Sequence, residues 1–356
     1  MPDPRPSSPE PDGGLPGRLR QALDAALSPM LAGQPGVALA IFPNHWNIGD
    51  TAIWAGQVST MERLGVSVRY VCDFRTYRRD ELQSSLPEGP ILLSGGGNLG
   101  DVYANEQGLR ERILDDFPGR HVIQLPQSIW FRSEAKLNEM RHRCERNRRF
   151  VLMVRDMPSL ELARERLGVM AHLAPDMALG LPDLRGRREP PDLDVLWLLR
   201  RDIEAADRTA RRDAGKGRSG AVRDWARPGL AVIRARRAEW IRAWWLSWRL
   251  LNTPKALFRH REARLGRSFA TLAALRLGIG LQLLSTGRVV VTDRLHGHIL
   301  ALLMGIPHIC LDNRNSKVRR FCEHWTAGSP LLRWTASVPE ARETVRELLA
   351  SLGSAS

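Results

Sequence analysis

Between Val289 and Asn313 the chain reads VVVTDRLHGHILALLMGIPHICLDN: a β-branched run, a cluster of Asp, Arg and His, a helical pattern, then a second short apolar run at His308–Leu311. A strand, a helix and a strand in this order form a parallel unit. Parallel strands are covered on both faces and read as continuous apolar runs, and open parallel sheets place ligands at the C-terminal ends of their strands. Asp293, Arg294, Leu295, His296 and Gly297 occupy such an end. Arg presents a planar fork to phosphate or carboxylate, and His donates a hydrogen bond or moves a proton. The turn therefore reads as an anion site or, more plainly, as a surface turn whose His caps a helix.

The first half of the chain repeats this alternation. Apolar runs at 36–42, 67–73, 90–101, 121–128 and 149–156 read as strands. Thr51–Leu64, Leu109–Phe117 and Glu134–Arg146 read as helices between them, and Ala171–Leu181 closes the unit. Such alternation predicts an α/β fold with a mainly parallel sheet covered on both faces. The Pro/Arg-rich piece 182–192 reads as a linker, 193–201 as a further strand, and Val338–Leu352 as a terminal helix. Two α/β units joined by a linker predict two sheets facing across a cleft, although the second half shows few strands. The expected boundaries are a leader and first helix at 1–30, domains at 31–184 and 193–337, and a C-terminal helix at 338–356.

With 356 residues, 43% of them apolar, the chain can bury a sizeable core. Cys72, Cys144, Cys310 and Cys322 are scattered, with no metal-ligand spacing, so a reduced, cytoplasmic setting is the default. The Pro- and Gly-rich start reads as a disordered leader with no apolar signal core. No run reads as membrane-spanning: the uncharged run Leu295–Leu311 carries three His and a Pro. The net charge of +14 is concentrated in one place: residues 206–267 hold 17 Lys/Arg against five Asp/Glu. So local an excess argues against a general nucleic-acid binder.

That basic segment also carries Trp225, Trp240, Trp244, Trp245 and Trp248, five of the 11 tryptophans. On a helix Trp240, Trp244, Trp248 and Leu251 share one face, with Arg242 and Arg249 opposite. The pattern fits a helix lying on an anionic membrane surface through 225–251. It equally fits a core-facing helix with a solvated basic side; stacking on nucleic-acid bases has no other support.

Four loops follow strand ends and can meet in one crevice. In Asn44–Ile53, Asn47, Gly49 and Asp50 open a helix, whose free amides can bind an anion; Asp50 alone could be an N-cap. In Ser94–Asp101, Gly95, Gly96 and Gly97 precede Asn98 and form a backbone cradle or a tight turn. In Val154–Ser159, Arg155 ends a strand and Asp156 or Ser159 caps the next helix. The fourth loop is DRLHG. No Walker lysine motif and no GxGxxG occurs.

In this order NIGDTAI, SGGGNL, LPQS (125–128), VRDMPS, PDMAL (175–179) and DRLHG with ALLMGIPHICLDN resemble the polysaccharide pyruvyltransferase family, from about Ile41 to Asn313 with Lys317 just beyond. The resemblance implies two Rossmann-like domains, as in glycosyltransferases of the two-domain B type. It implies transfer of a pyruvyl group from phosphoenolpyruvate to two hydroxyls of a sugar, in exopolysaccharide or cell-surface glycan biosynthesis, with a cyclic ketal formed and phosphate released. The family's phosphoenolpyruvate-binding groups fall on Arg155, Arg294 and His296, cation forks suited to a phosphate and a carboxylate. His296 is the candidate general acid and Asp50 the candidate base, with Asp101 and Asp293 as alternatives. No metal or cofactor is expected beyond the donor substrate. The basic Trp segment departs from the family pattern, and a lipid-linked acceptor docked at the inner membrane face would account for it. A nucleotide-sugar glycosyltransferase of the same shape, and a non-catalytic membrane-surface assembly protein, are the competing readings.

Overall fold

A computed structural model of the chain describes residues 14–201, 220–225, 230–235, 237–252, 262–312 and 316–353. The expected leader before residue 14, parts of the basic segment and the motif's last residue, Asn313, lie outside them. The strands are β1 (Val37–Ala40), β2 (Val68–Cys72), β3 (Ile91–Leu93), β4 (Gly96–Gly100), β5 (Val122–Trp130), β6 (Phe150–Val154), β7 (Met170–Leu173), β8 (Leu193–Leu198), β9 (Gly220–Arg223), β10 (Gly287–Thr292), β11 (His308–Cys310) and β12 (Leu332–Trp334). The helices are α1 (Gly14–Leu31), α2 (Ile48–Arg63), α3 (Arg79–Ser85), α4 (Ala104–Asp116), α5 (Glu134–Arg146), α6 (Met157–Glu161), α7 (Leu230–Ala235), α8 (Arg237–Asn252), α9 (Glu262–Ser285), α10 (Leu295–Leu303), α11 (Lys317–Phe321) and α12 (Val338–Gly353).

Two sheets form, in the orders β2-β1-β3-β5-β6-β7, with β4 on β5, and β12-β11-β10-β8-β9. Every strand pair is parallel. Strand order reverses at β1/β3 in the first sheet and at β8/β10 in the second, and such switch points open crevices at strand C-termini. The loops after β1, β3 and β10, which carry NIGD, SGGG and DRLHG, therefore start beside these crevices.

Side chains alternate across each strand with a period of two. Val37, Leu39, Leu92, Ile123 and Met153 of the first sheet share one core with Leu196, Leu198, Val290 and Cys310 of the second. Helices α2, α9 and α10 fill the space between, through Ile48, Ala52, Ile53, Phe269, Leu272, Ile299 and Leu300. The other face of sheet one, with Ala38, Ala40, Ile91, Leu93 and Leu152, is covered by α3, α4 and α5. The other face of sheet two, with Val195, Trp197, Val289, Val291 and Ile309, is covered by Val338, Ala341 and Val345 of α12.

The structure adds strands that the sequence reading lacked. β7, β9 and β12 are short and partly exposed at sheet edges, so none reads as a continuous apolar run. β9 lies inside the segment read as helical, and pairing with β8 overrides that pattern. Gly96, Gly97 and Asn98 of the glycine cradle lie in strand β4 and not in a tight turn. Leu265–Ser285 has the length and apolar character of a membrane-crossing helix, yet 67% of that stretch is buried, and Arg276 within it is fully buried. It serves here as a core helix.

Helix α2 crosses the 3-10 turn Met177–Gly180 backbone to backbone. A methyl group on Gly56 would overlap the Met177 carbonyl oxygen, and one on Gly180 would lie 2.6 Å from the Gly56 oxygen. Alanine favours a helix over glycine by about 1 kcal/mol, but overpacking against a fixed backbone costs about 1–3 kcal/mol or more. Gly56→Ala should therefore lower the urea midpoint; a raised midpoint would show that the turn yields freely.

Candidate active site

At the end of β6, Arg155 extends the ladder by donating its N–H to the Gln127 carbonyl (3.2 Å) and is only 3% exposed. A buried guanidinium needs a counter-charge and hydrogen bonds. Nη1 pairs with Asp176, and Nε donates to Ser128 Oγ at 2.9 Å. Asp176 is fully buried: Oδ1 accepts from the Ala178 N–H at 2.8 Å, while Oδ2 meets Arg155 and, at 3.4 Å, His296 Nε2. Burial alone would push this carboxyl up, but His296 and Arg155 outweigh it and hold it well below the usual carboxylate range.

His296 reaches Asp176 from the first turn of α10. Its ring lies against Gly49, where any Cβ would collide with it. Gly49 is in the first turn of α2, so the N-termini of α2 and α10 meet at this contact. Each leaves unpaired amides and a partial positive charge at its end. Asn47 is the N-cap of α2, accepting from Gly49 N–H at 3.1 Å. Asp50 is in the same first turn, its carboxylate accepting from Asn47 Nδ2 at 2.7 Å with His45 Nε2 at 3.6 Å. Asp50 is thus not the cap itself.

Opposite lies β4. Gly95 passes so near the Pro126 carbonyl that a Cβ would be 2.6 Å from its oxygen, and Gly96 has φ 125°. A methyl on Gly97 would lie 3.2 Å from Arg155 Nη2 and 3.5 Å from Lys317 Nζ. Gly97 and Lys317 line a cavity of about 620 Å³ together with Ser128, Tyr103, Trp130, Arg132 and Arg320, and the buried Arg155 lies behind Gly97. Asn98 Oδ1 accepts from Arg110 Nη2 (2.8 Å) and Gln127 Nε2 (2.6 Å), so it braces β4 from within.

Arg155, His296, Gly49, Gly96, Gly97 and Asp50 are thus brought together. Arg294 pairs with Asp224 at 2.7 Å, a partner that the sequence did not suggest. Asp101 accepts from the backbone N–H groups of Arg132 and Ser133 at the start of α5. Asp293 accepts from the Arg200 N–H, and burial pushes it up to about 6. Asp176 and Lys317 were missed as site residues, although PDMAL and the position just beyond the last motif pointed to them. The scattered cysteines are not all scattered in space: His298, Cys310 and Cys322 donor atoms lie within 4.8 Å of one another, fully inside the protein. Both His298 ring nitrogens are already engaged, Nδ1 with His308 Nε2 (2.7 Å) and Nε2 with Thr326 Oγ1 (2.9 Å).

Because Asp176 is more acidic folded than unfolded, its contribution is present above its unfolded pKa, near 4, and is lost as pH falls through the folded value. Asp176→Asn should remove this acid-limb dependence and, by leaving a buried guanidinium without its counter-charge, cost about 3–5 kcal/mol at neutral pH. Denaturant melts of both proteins across the acid range check this; parallel curves would refute it.

The family model described as polysaccharide pyruvyl transferase matches residues 47–315, which include Asn47, Gly49, Asp50, Gly97, Arg155, Asp176, Arg294 and His296. Pyruvyl transferase 1 of Schizosaccharomyces pombe is 32% identical over 84% of this chain and 72% of its own length. EpsO of Bacillus subtilis, provisionally named a pyruvyl transferase, is 25% identical over 88% of this chain and 92% of its own length. A crystal structure of a functionally uncharacterized Klebsiella pneumoniae protein shares the fold, with a TM-score of 0.55 and 16% identity, over 90% of this chain and 99% of that one. The chain belongs to the polysaccharide pyruvyl transferase family.

Proposed function

We propose that the protein transfers a pyruvyl group from phosphoenolpyruvate to two hydroxyls of a sugar in a polysaccharide or lipid-linked oligosaccharide, forming a cyclic ketal and releasing phosphate. The observation that carries this reading is the pair of cations, Arg155 and Lys317, flanking the bare backbone of Gly97 beside the Asp176–His296 contact. A small ligand with both a phosphate and a carboxylate fits two fixed cations and two helix N-termini. The reading takes the two sheets as Rossmann-like domains facing across a cleft, with the basic Trp segment inserted in the second.

Protonation of the methylene carbon makes C2 electrophilic. One sugar hydroxyl adds to C2; the C2–O bond to phosphate breaks; the second hydroxyl then closes the ring. Two hydroxyl protons are released, one replacing the proton given to the methyl group and the other leaving with phosphate, so the balance needs no oxidant or reductant. His296, held by the buried Asp176, is the proposed proton donor. Asp50, oriented by Asn47, is the proposed acceptor for a sugar hydroxyl proton. Arg294 would serve as a further phosphoenolpyruvate fork by exchanging Asp224 for the substrate. Trp130, half exposed on the cavity wall, offers an apolar platform for a sugar ring.

Phosphoenolpyruvate should raise the melting temperature, because it binds only the folded protein, and Lys317→Met and Arg294→Ala should each abolish the rise. Stabilisation by a nucleotide sugar instead would establish the glycosyltransferase reading. If Arg294 only ties down Asp224, its variant keeps the phosphoenolpyruvate effect.

His296→Asn should lower kcat by about 10²–10⁴-fold, measured as phosphate release with a defined sugar acceptor. Trp130→Ala should instead raise KM for that acceptor and leave phosphoenolpyruvate stabilisation intact. Near-normal turnover in the His296 variant would remove it from the chemistry.

A further inference from the structure

Helix α8 presents an apolar stripe to solvent. Ile241, Trp244, Trp245 and Trp248, at spacing i, i+3, i+4 and i+7, are each between 49% and 54% exposed. The opposite side, Ala243, Ser247 and Leu250, is buried. The sequence grouped Trp240 with the exposed tryptophans, but Trp240 turns inward and stacks on Trp46, with ring centroids 4.6 Å apart. Soluble proteins rarely leave contiguous aromatic surface of this kind uncovered.

The charges around the stripe narrow what can cover it. Arg242 and Arg249 are exposed along one flank, Arg249 lying 5.3 Å over the Trp245 ring, and exposed Arg237 continues the stripe by one turn. Residues 206–267 as a whole carry 17 Lys/Arg against five Asp/Glu. A second copy of the chain would bring like charges together across this face. An anionic bilayer surface answers both features: indole rings settle at headgroup depth, and guanidinium groups meet lipid phosphates.

The buried side of α8 grips the chain that leads into the active site. Ser247 Oγ donates to Asn44 Oδ1 at 3.2 Å, and Arg276 donates to both the Pro43 carbonyl (2.9 Å) and Ser247 Oγ (2.9 Å). Asn44 and Trp46 immediately precede Asn47, Gly49 and Asp50. We infer that α8 is a docking surface for an anionic phospholipid bilayer, seated through Ile241, Trp244, Trp245 and Trp248. This deepens the pyruvyl-transfer reading, and rests on it only in making the acceptor lipid-linked: the side of the molecule that handles the sugar hydroxyls is tied to the side that meets lipid.

The test is co-sedimentation of the full chain with phosphatidylcholine vesicles and with vesicles that also contain phosphatidylglycerol. The wild type should sediment with the anionic vesicles only, less so as salt rises. Trp244→Ala/Trp248→Ala and Arg242→Gln/Arg249→Gln should each weaken partitioning by roughly tenfold, with unchanged melting temperatures and unchanged turnover on a soluble acceptor. Equal sedimentation with the two vesicle types, strong or negligible, overturns the inference. So does a dimer in solution that the Trp244/Trp248 variant converts to monomer. Sedimentation needs no turnover, so its failure leaves pyruvyl transfer standing, and failure of phosphoenolpyruvate to stabilise the protein leaves membrane docking standing.

Discussion

A carboxylate with no exposure to water, Asp176, ties together the groups of the candidate site. It touches Arg155 from the end of β6 and His296 from the start of α10, so one side chain binds groups supported by different sheets. Buried ion pairs often cost as much in desolvation as they return in attraction. What this one supplies is position. The Arg155 fork is held by Asp176 on one nitrogen and Ser128 on another, and His296 is pinned between Asp176 and the Gly49 backbone. A third brace comes from Trp325, whose indole N–H donates to the Arg155 carbonyl at 3.0 Å. Cations fixed before any ligand arrives lose little freedom when it binds.

The absence of side chains matters as much as their presence. Gly49 admits the His296 ring, Gly95 admits the Pro126 carbonyl, and Gly97 leaves room between Arg155 and Lys317. The first two are close approaches that a single methyl group would block, and at Gly97 a methyl would press on the Arg155 guanidinium at 3.2 Å. The two helix N-termini can therefore approach one another, and their summed partial charges act over a short distance in a poorly hydrated place, where electrostatic effects are strongest.

Much of this was legible in the chain. Apolar runs such as FVLMV and VVVT announced buried parallel strands, and the order of the loops after them located the crevice. The parts that were missed share a cause. MAHL, GAVR and LRW become strands only because a neighbour offers them a ladder. Asp176 follows a proline and caps a short helical turn, a local role that hides its second one, since Arg155 and His296 reach it only through tertiary packing. On α8 the helical period was right but the inward side was not. The small residues Ala243 and Ser247 permit the close approach of the Asn44–Trp46 loop, which leaves the bulky tryptophans outside. Cys310 and Cys322 likewise meet only because a strand and the helix after it fold back beside His298.

The single core shared by both sheets has a consequence for how the chain is made. Ile48, Ala52 and Ile53 on α2 are covered by residues some two hundred positions later, on α9 and α10. During synthesis the first sheet emerges complete while that face of α2 still lacks its cover, and it stays so until the ribosome has delivered the second half. Domains that fold as they emerge normally bury their apolar surface within themselves; this one has to carry a sticky face through most of translation. The nascent first half is thus a natural client for chaperones, and a protein cut in the 182–192 linker would yield two fragments that are each insoluble alone and soluble only when expressed together.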